Sequence, residues 1–388
     1  MQITRIDAFP LGYVREYPSA FVRSFALVKV QTDAGFVGWG EASDCFGHSD
    51  PLVIRQIIEE ELQRHLVGED PLLIEQHMRR LHQWLYRTMG LSGAVVQALS
   101  GVEIALWDIR GKARGEPIHR MLGSYRDRVA VYGAGTIAFG QPPEWHVRFF
   151  DHLLERGCKT IKLRIGNSLR WDVELVKGVR QIVGDDIDII VDGKFNYTLP
   201  SAIKLARRLE EYDVLYLEEP MPQYDLEALA ELRASTHLPI AYGEHAYTVH
   251  EFRDLITRRA ANVLQPDATL VGGLAEARKV SVLAEAWGMP ISPHCGGLTA
   301  VGVAANVHLS AAAPTFTVLE YDATPGQPLR EELLKDGLFS PGRIVDGCLT
   351  APEGPGLGIE VDESVLEKYP YRQRGQTKDL PGYGTPHL

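Results

Sequence analysis

Cysteine is scarce in this sequence of 388 residues: Cys45, Cys158, Cys295 and Cys348 lie far apart and make no CxxC pair. That excludes a disulfide framework and a zinc–thiolate cluster, and it fits a reducing cytoplasm. Long apolar runs are missing too. None approaches the roughly 20 residues of a membrane span, and the stretch MQITRIDAFPLG alternates like a strand, without the apolar core of a signal peptide. A soluble cytoplasmic protein with no membrane partner is expected. Basic blocks are absent as well: 40 Lys and Arg stand against 51 Asp and Glu, for a formal charge of −11, and no cation run is interleaved with aromatics. Nucleic acid is therefore not an expected partner.

What is present divides into two patterns. The segments QITRIDAFPL, FALVKVQTD and FVGWGEA read as strands, the last two joined by the turn Asp33-Ala34-Gly35. From about Pro51 to Gly123, apolar positions recur three and four apart, as in helices. Strands followed by a helical block predict an α+β domain over residues 1–125. Over residues 126–340, short apolar runs start at Val129, Thr160, Asp188, Val214, Pro239, Asn262, Pro290 and Thr317, with amphipathic segments such as PSAIKLARRLEEY between them. Eight βα units of this length predict an α/β protein with a (β/α)8 barrel. Residues 341–388 are the C-terminal segment; the stretch SPGRIVDGCLTAPEGPGLGIEV, which begins at Ser340, reads as short strands returning to the first domain, and the tail has no core pattern.

In such a barrel the chemistry collects at the C-terminal ends of the strands. Those ends carry Lys162 and Arg164, Asp192 and Lys194, Glu218, Glu244, Asp267, His294 and Glu320. Asp192, Glu218 and Glu244 close three consecutive strands, where unneutralised carboxylates would repel one another strongly. A divalent cation removes that conflict, and all-oxygen ligation suits Mg²⁺, with Mn²⁺ as a substitute, rather than zinc. Asp267 and His294 end neighbouring strands, and a carboxylate beside an imidazole fixes its tautomer and raises its basicity. Glu320, if protonated or strongly hydrogen bonded, is placed to donate to an oxyanion.

The motifs GWGE (Gly38 to Glu41), ALSGVEIALWDIRGKARGEPIHRMLG (Ala98 to Gly123), KLR, VDGK, LEEP, GEH, QPD, SPH, LEYD and GPGLG together resemble the enolase superfamily, and within it the mandelate racemase subgroup. The resemblance implies a modified TIM barrel under an α+β capping domain and a homo-oligomer. It further implies Mg²⁺ held by Asp192, Glu218 and Glu244, and removal of the proton α to a carboxylate with metal stabilisation of the enediolate. His294 and Asp267 become an acid/base dyad.

Two positions depart from the pattern of many relatives. Where they carry Lys-x-Lys on the second strand, with the second Lys as a base, this chain has Lys162 and Arg164. A guanidinium is a poor base at neutral pH, so the pair reads as a cationic wall that orients the substrate carboxylate. Where racemase-like relatives have Asp-x-Asn, this chain has Asp192-Gly193-Lys194. Lys194 is either an acid for a leaving hydroxide or an ion-pair partner of a carboxylate.

Substrate contacts are expected from Tyr17, Phe21 and Arg23, from Asp44, Phe46 and His48, and from His245. Such a mixture suits a hydroxylated acid. The function expected is dehydration of an aldonic or aldaric acid to a 2-keto-3-deoxy acid. A cycloisomerase opening a sugar-acid lactone is the alternative, because EYDATPGQPLREELL resembles the corresponding segment of galactarolactone cycloisomerases. A racemase or epimerase, and a barrel that only binds a ligand, complete the set.

Overall fold

The computed structural model describes residues 1–18, 21–42, 49–136 and 140–372. Strands β1 (Ile3–Arg15), β2 (Phe21–Thr32) and β3 (Val37–Ala42) form an antiparallel sheet in that order. Gly35, at φ 81°, makes the predicted turn between β2 and β3. Three helical stretches follow: Pro51–Gln56, which runs through a π-helical turn Ile57–Leu62 into Gln63–Leu66, then Ile74–Thr88 and Ala94–Arg114.

The glycines of GWGE have a steric cause. A Cβ on Gly40 would stand 1.9 Å from the carbonyl oxygen of Gly101, and one on Gly38 2.1 Å from that of Ala105. Only glycine lets β3 lie directly on the backbone of the helix Ala94–Arg114.

Parallel strands β4 (Arg128–Ala134), β5 (Thr160–Arg164), β6 (Asp188–Asp192), β7 (Val214–Glu218), β8 (Ile240–Tyr242) and β9 (Val263–Leu264) follow one another around the barrel, and β10 (Leu319–Asp322) pairs with β4. Seven of the eight expected runs are thus strands. The other, PISPHCG, is reduced to Ile291, which bridges Leu264 on one side and Phe316 on the other. Pro290 and Pro293 flank it, and neither has an N–H for a ladder. The linking helices bury one stripe each, as Leu199–Leu209 does with Ala202, Leu205, Ala206 and Leu209.

Beyond the barrel the expectation needs correcting. The strand β11 (Cys348–Thr350) pairs antiparallel with β4 of the barrel, not with the first sheet. The return comes later: Gly356 bridges Pro117, the Leu357 N–H donates to Asp108 at 2.9 Å, and Pro370 bridges Leu11. Cys158, Cys295 and Cys348 are free thiols.

The helix Ala300–Ala312 is buried along its whole length, between the first sheet and the barrel. In it, His308 holds one ring nitrogen, Nε2, 3.1 Å from the Leu357 carbonyl, and its Nδ1 accepts from the His119 backbone N–H at 3.1 Å. Both nitrogens are used only by the neutral ring, and burial pushes the His308 pKa down to about 3. Because the folded value lies below the unfolded one, this stability is complete above about pH 6.5 and is lost as pH falls from there toward 3. Urea midpoints should therefore drop between pH 7 and 5 with a contribution of up to about 1.4 kcal/mol per pH unit. His308→Gln, which keeps a donor and an acceptor without titrating, should remove that slope. Equal losses in both proteins would refute the assignment.

Candidate active site

Parallel register puts the first group of charges on one level. Arg164 of β5 is the partner of Asp192 on β6, which is the partner of Glu218 on β7. Arg164 Nη1 lies 3.5 Å from Asp192 Oδ2. Lys162, two residues deeper on the same face, reaches up between the strand ends. Its Nζ donates to Glu218 Oε1 at 2.6 Å and lies 2.9 Å from Glu320 Oε1 and 3.9 Å from Asp192 Oδ2, over the ring of Tyr132. All of these groups are buried. Burial disfavours the lysine cation, but Glu218, Glu320 and Asp192 outweigh it and hold the amine protonated, well above its usual range. Burial likewise pushes Glu218 up to about 8 against the pull of Lys162, and it raises Asp192 against Arg164.

A second group faces the first. Glu244 lies two residues beyond β8, past Gly243 at φ 143°. One of its oxygens is 3.6 Å from His294 Nε2 and the other 3.7 Å from His245 Nδ1. His294 Nδ1 is 2.8 Å from Asp267 Oδ2. Asp267 Oδ1 in turn accepts from the Thr269 N–H and hydroxyl, both at 2.8 Å, and from Asn306 Nδ2 at 2.9 Å. The carboxylate is fixed, so it fixes the imidazole, with Nδ1–H donating and Nε2 directed at the acids.

The N-terminus of the helix Ala300–Ala312 is held from the other domain. Glu41 accepts from the Thr299 N–H, the Thr299 hydroxyl at 2.6 Å and the Gly302 N–H at 2.7 Å. The last motif residue of GWGE thus caps the helix that carries Asn306.

Residues 18–123 match the mandelate racemase/muconate lactonizing enzyme N-terminal domain, and residues 146–365 match the enolase C-terminal domain-like family. The chain belongs to the mandelate racemase/muconate lactonizing enzyme family of the enolase superfamily. It is 33% identical to an arabinonate dehydratase of Saccharolobus solfataricus over 94% of both chains. A D-galactarolactone cycloisomerase of Agrobacterium fabrum is 32% identical over 89% of this chain and 91% of that one. The crystal structure of a mandelate racemase-like protein from Bordetella bronchiseptica RB50, 32% identical, superposes with a TM-score of 0.89 over 100% of this chain and 97% of that one. The chain is accordingly an enzyme with a capped TIM barrel.

Divalent metal is typical of this superfamily, and the donors present fit one. Asp192, Glu218 and Glu244 offer buried oxygens, and Asp192 Oδ2 is without a hydrogen-bond partner among the described residues. Glu219, Glu244 and His245 also bring one ligand atom each within 4.8 Å of one another. Burial raises Glu219 to about 7, and His245 is raised to about 9 because Glu219 and Glu244 outweigh its burial. So many buried carboxylates call for more positive charge than Lys162 and Arg164 provide.

The other expected residues divide. Glu320 meets Lys162, the Cys295 N–H and, at 3.4 Å, His294 Nε2. Burial works against its ionisation, but Lys162 outweighs it and holds the carboxyl below the usual range. Lys194, at φ 48°, touches Asp192 through its backbone N–H at 3.0 Å. Arg23 is buried, with Nη2 on Asp322 at 2.6 Å, and it ties β2 to β10. The Tyr17 ring packs on Phe149 and Trp145 of the helix Pro143–Leu154 that follows β4. The Phe21 side chain, Asp44, Phe46 and His48 lie outside the described residues.

Sequence reasoning missed four residues. Gln265 donates to Glu218 Oε2 at 2.8 Å, Glu219 pairs with His245 at 3.1 Å, and Asn306 and Glu41 act as described. A signal existed for Asn306: it stands amid the apolar run AVGVAANVHL, where an amide needs a partner.

A hard divalent cation such as Mg²⁺ should raise the melting temperature of chelator-treated protein, by the equivalent of about 2.7 kcal/mol at 100 times its Kd. Asp192→Asn should suppress most of that shift. The same shift in both proteins would place the cation elsewhere.

Proposed function

We propose that this enzyme is a Mg²⁺-dependent dehydratase of an aldonic or aldaric acid, with Asp192, Glu218 and Glu244 as the metal ligands. The observation that carries the reading is the His294–Asp267 pair. At 2.8 Å, and with Asp267 held by three further hydrogen bonds, it leaves Nε2 as a preorganised base on the side of Glu244 and Glu320. A Mg²⁺ ion held there supplies Lewis-acid stabilisation for the charge that develops on the substrate carboxylate.

The residues then divide the work. His294 Nε2 takes the C2 proton. Lys162 and Arg164 keep the acid's oxygens in place by charge and hydrogen bonding. The C3–O bond breaks, and the leaving hydroxide takes a proton from Lys194 or from His294 itself, according to whether elimination is anti or syn. The enol product tautomerises to the 2-keto-3-deoxy acid, and water balances the reaction. Arg164 is raised further above its normal range by Asp192, Glu320 and Glu244, which outweigh its burial, so it does not serve as a second base. That supports one-base chemistry over racemisation.

Lactone cycloisomerisation is the second reading, supported by the 32% identity to the Agrobacterium enzyme. It shares removal of the C2 proton and differs in losing a ring oxygen. The segment that suggested it folds here around Arg23: Asp322 pairs with that guanidinium, and its carbonyl is bonded by Gln327 and Arg330.

Proton NMR of the Mg²⁺-loaded enzyme in D2O, with aldonic acids, aldaric acids and their lactones, tests both. A C3-deuterated 2-keto-3-deoxy acid from an open-chain substrate is the expected result, and His294→Asn should slow it by roughly 10²- to 10⁴-fold. The same product only from a lactone favours the second reading. Exchange at C2 or epimer formation without elimination would overturn the one-base argument.

A further inference from the structure

We propose that His119, Asp127 and Glu353 form a second metal site, for a transition-metal dication of the zinc type, where the short helix Ile118–Met121, the link into β4 and the segment after β11 meet. The Leu357 carbonyl can only accept, so His308 Nε2, 3.1 Å away, carries a proton. His308 Nδ1 is then a lone pair, and it accepts from the His119 backbone N–H. It also stands 3.1 Å from His119 Nδ1. Two bare nitrogens do not approach so closely, so His119 carries its proton on Nδ1. Its other nitrogen, Nε2, is left as a lone pair.

That nitrogen faces acceptors. His119 is 0% exposed, and its Nε2 has no hydrogen-bond partner among the described residues. Glu353 Oε1 lies 3.8 Å away, and one ring nitrogen of His119 and one carboxylate oxygen each from Asp127 and Glu353 lie within 4.8 Å of one another. A lone pair and two anionic oxygens repel unless a cation sits between them.

One imidazole and two carboxylates, with water completing the shell, suit zinc, whereas Mg²⁺ prefers oxygen alone. The contact to His308 supplies the outer hydrogen bond that orients a ligating histidine. Arg120 pairs with Glu353 through Oε2 and leaves Oε1 toward His119. Asp127 and Glu353 are both exposed, so their side chains can close onto an ion. Such an ion would fasten three chain segments together away from the barrel mouth.

Zinc titration of the chelator-treated, full-length enzyme in saturating Mg²⁺ tests this, read by metal analysis after equilibrium dialysis and by melting temperature. Wild type should bind one equivalent more than Glu353→Gln or Asp127→Asn, and the zinc-induced rise in melting temperature should be lost in both. These variants alter exposed carboxylates and leave the buried histidines in place, so a folding defect does not stand in for lost binding. Equal stoichiometry and equal shifts in all three proteins would overturn the proposal. So would NMR evidence that His119 of the metal-free protein is an imidazolium at pH 7, because a proton would then fill the gap.

Discussion

The cost of keeping ionised carboxylates out of water governs the mouth of this barrel. Asp192, Glu218, Glu219, Glu244, Asp267 and Glu320 are all buried, and burial is unfavourable for charge without a counter-charge. Lys162 is the protein's own reply. Its amine lies within ion-pair distance of three of them, and a lysine so placed cannot lose its proton without exposing the acids to one another. Arg164 extends the same balance to Asp192. The remaining deficit of positive charge is what makes the site receptive to a dication.

Geometry reaches the dyad from the far side of the molecule. Glu41 sits at the end of a strand that can touch its helix only because Gly38 and Gly40 have no side chains. It caps the helix Ala300–Ala312, and Asn306 on that helix holds Asp267, which holds His294. Burial raises Glu41 to about 7 against the donors that surround it. The first domain therefore supports His294 through a chain of fixed polar contacts.

The cationic pair expected on the second strand lies among acids: Lys162 is within ion-pair distance of Glu218 and Glu320. Residue type and strand position were legible because period-2 alternation puts Lys162 and Arg164 on one face. Their partners were not legible, because a long side chain chooses among neighbours that only the closed barrel assembles. The same limit hid Glu219 behind its neighbour Glu218.

By itself the sequence determined the order of elements, the barrel and the set of charged residues at the strand ends, because hydrophobic period and strand termini are local properties of the chain. It also determined that position 164 carries a permanent cation. Tertiary structure alone decided which acid meets which base. It sent β11 to β4 before the chain returned to the first domain, reduced one strand to Ile291 between prolines, and set His119 beside His308 across 189 residues. Contacts of that range depend on packing and register, which no window of sequence contains.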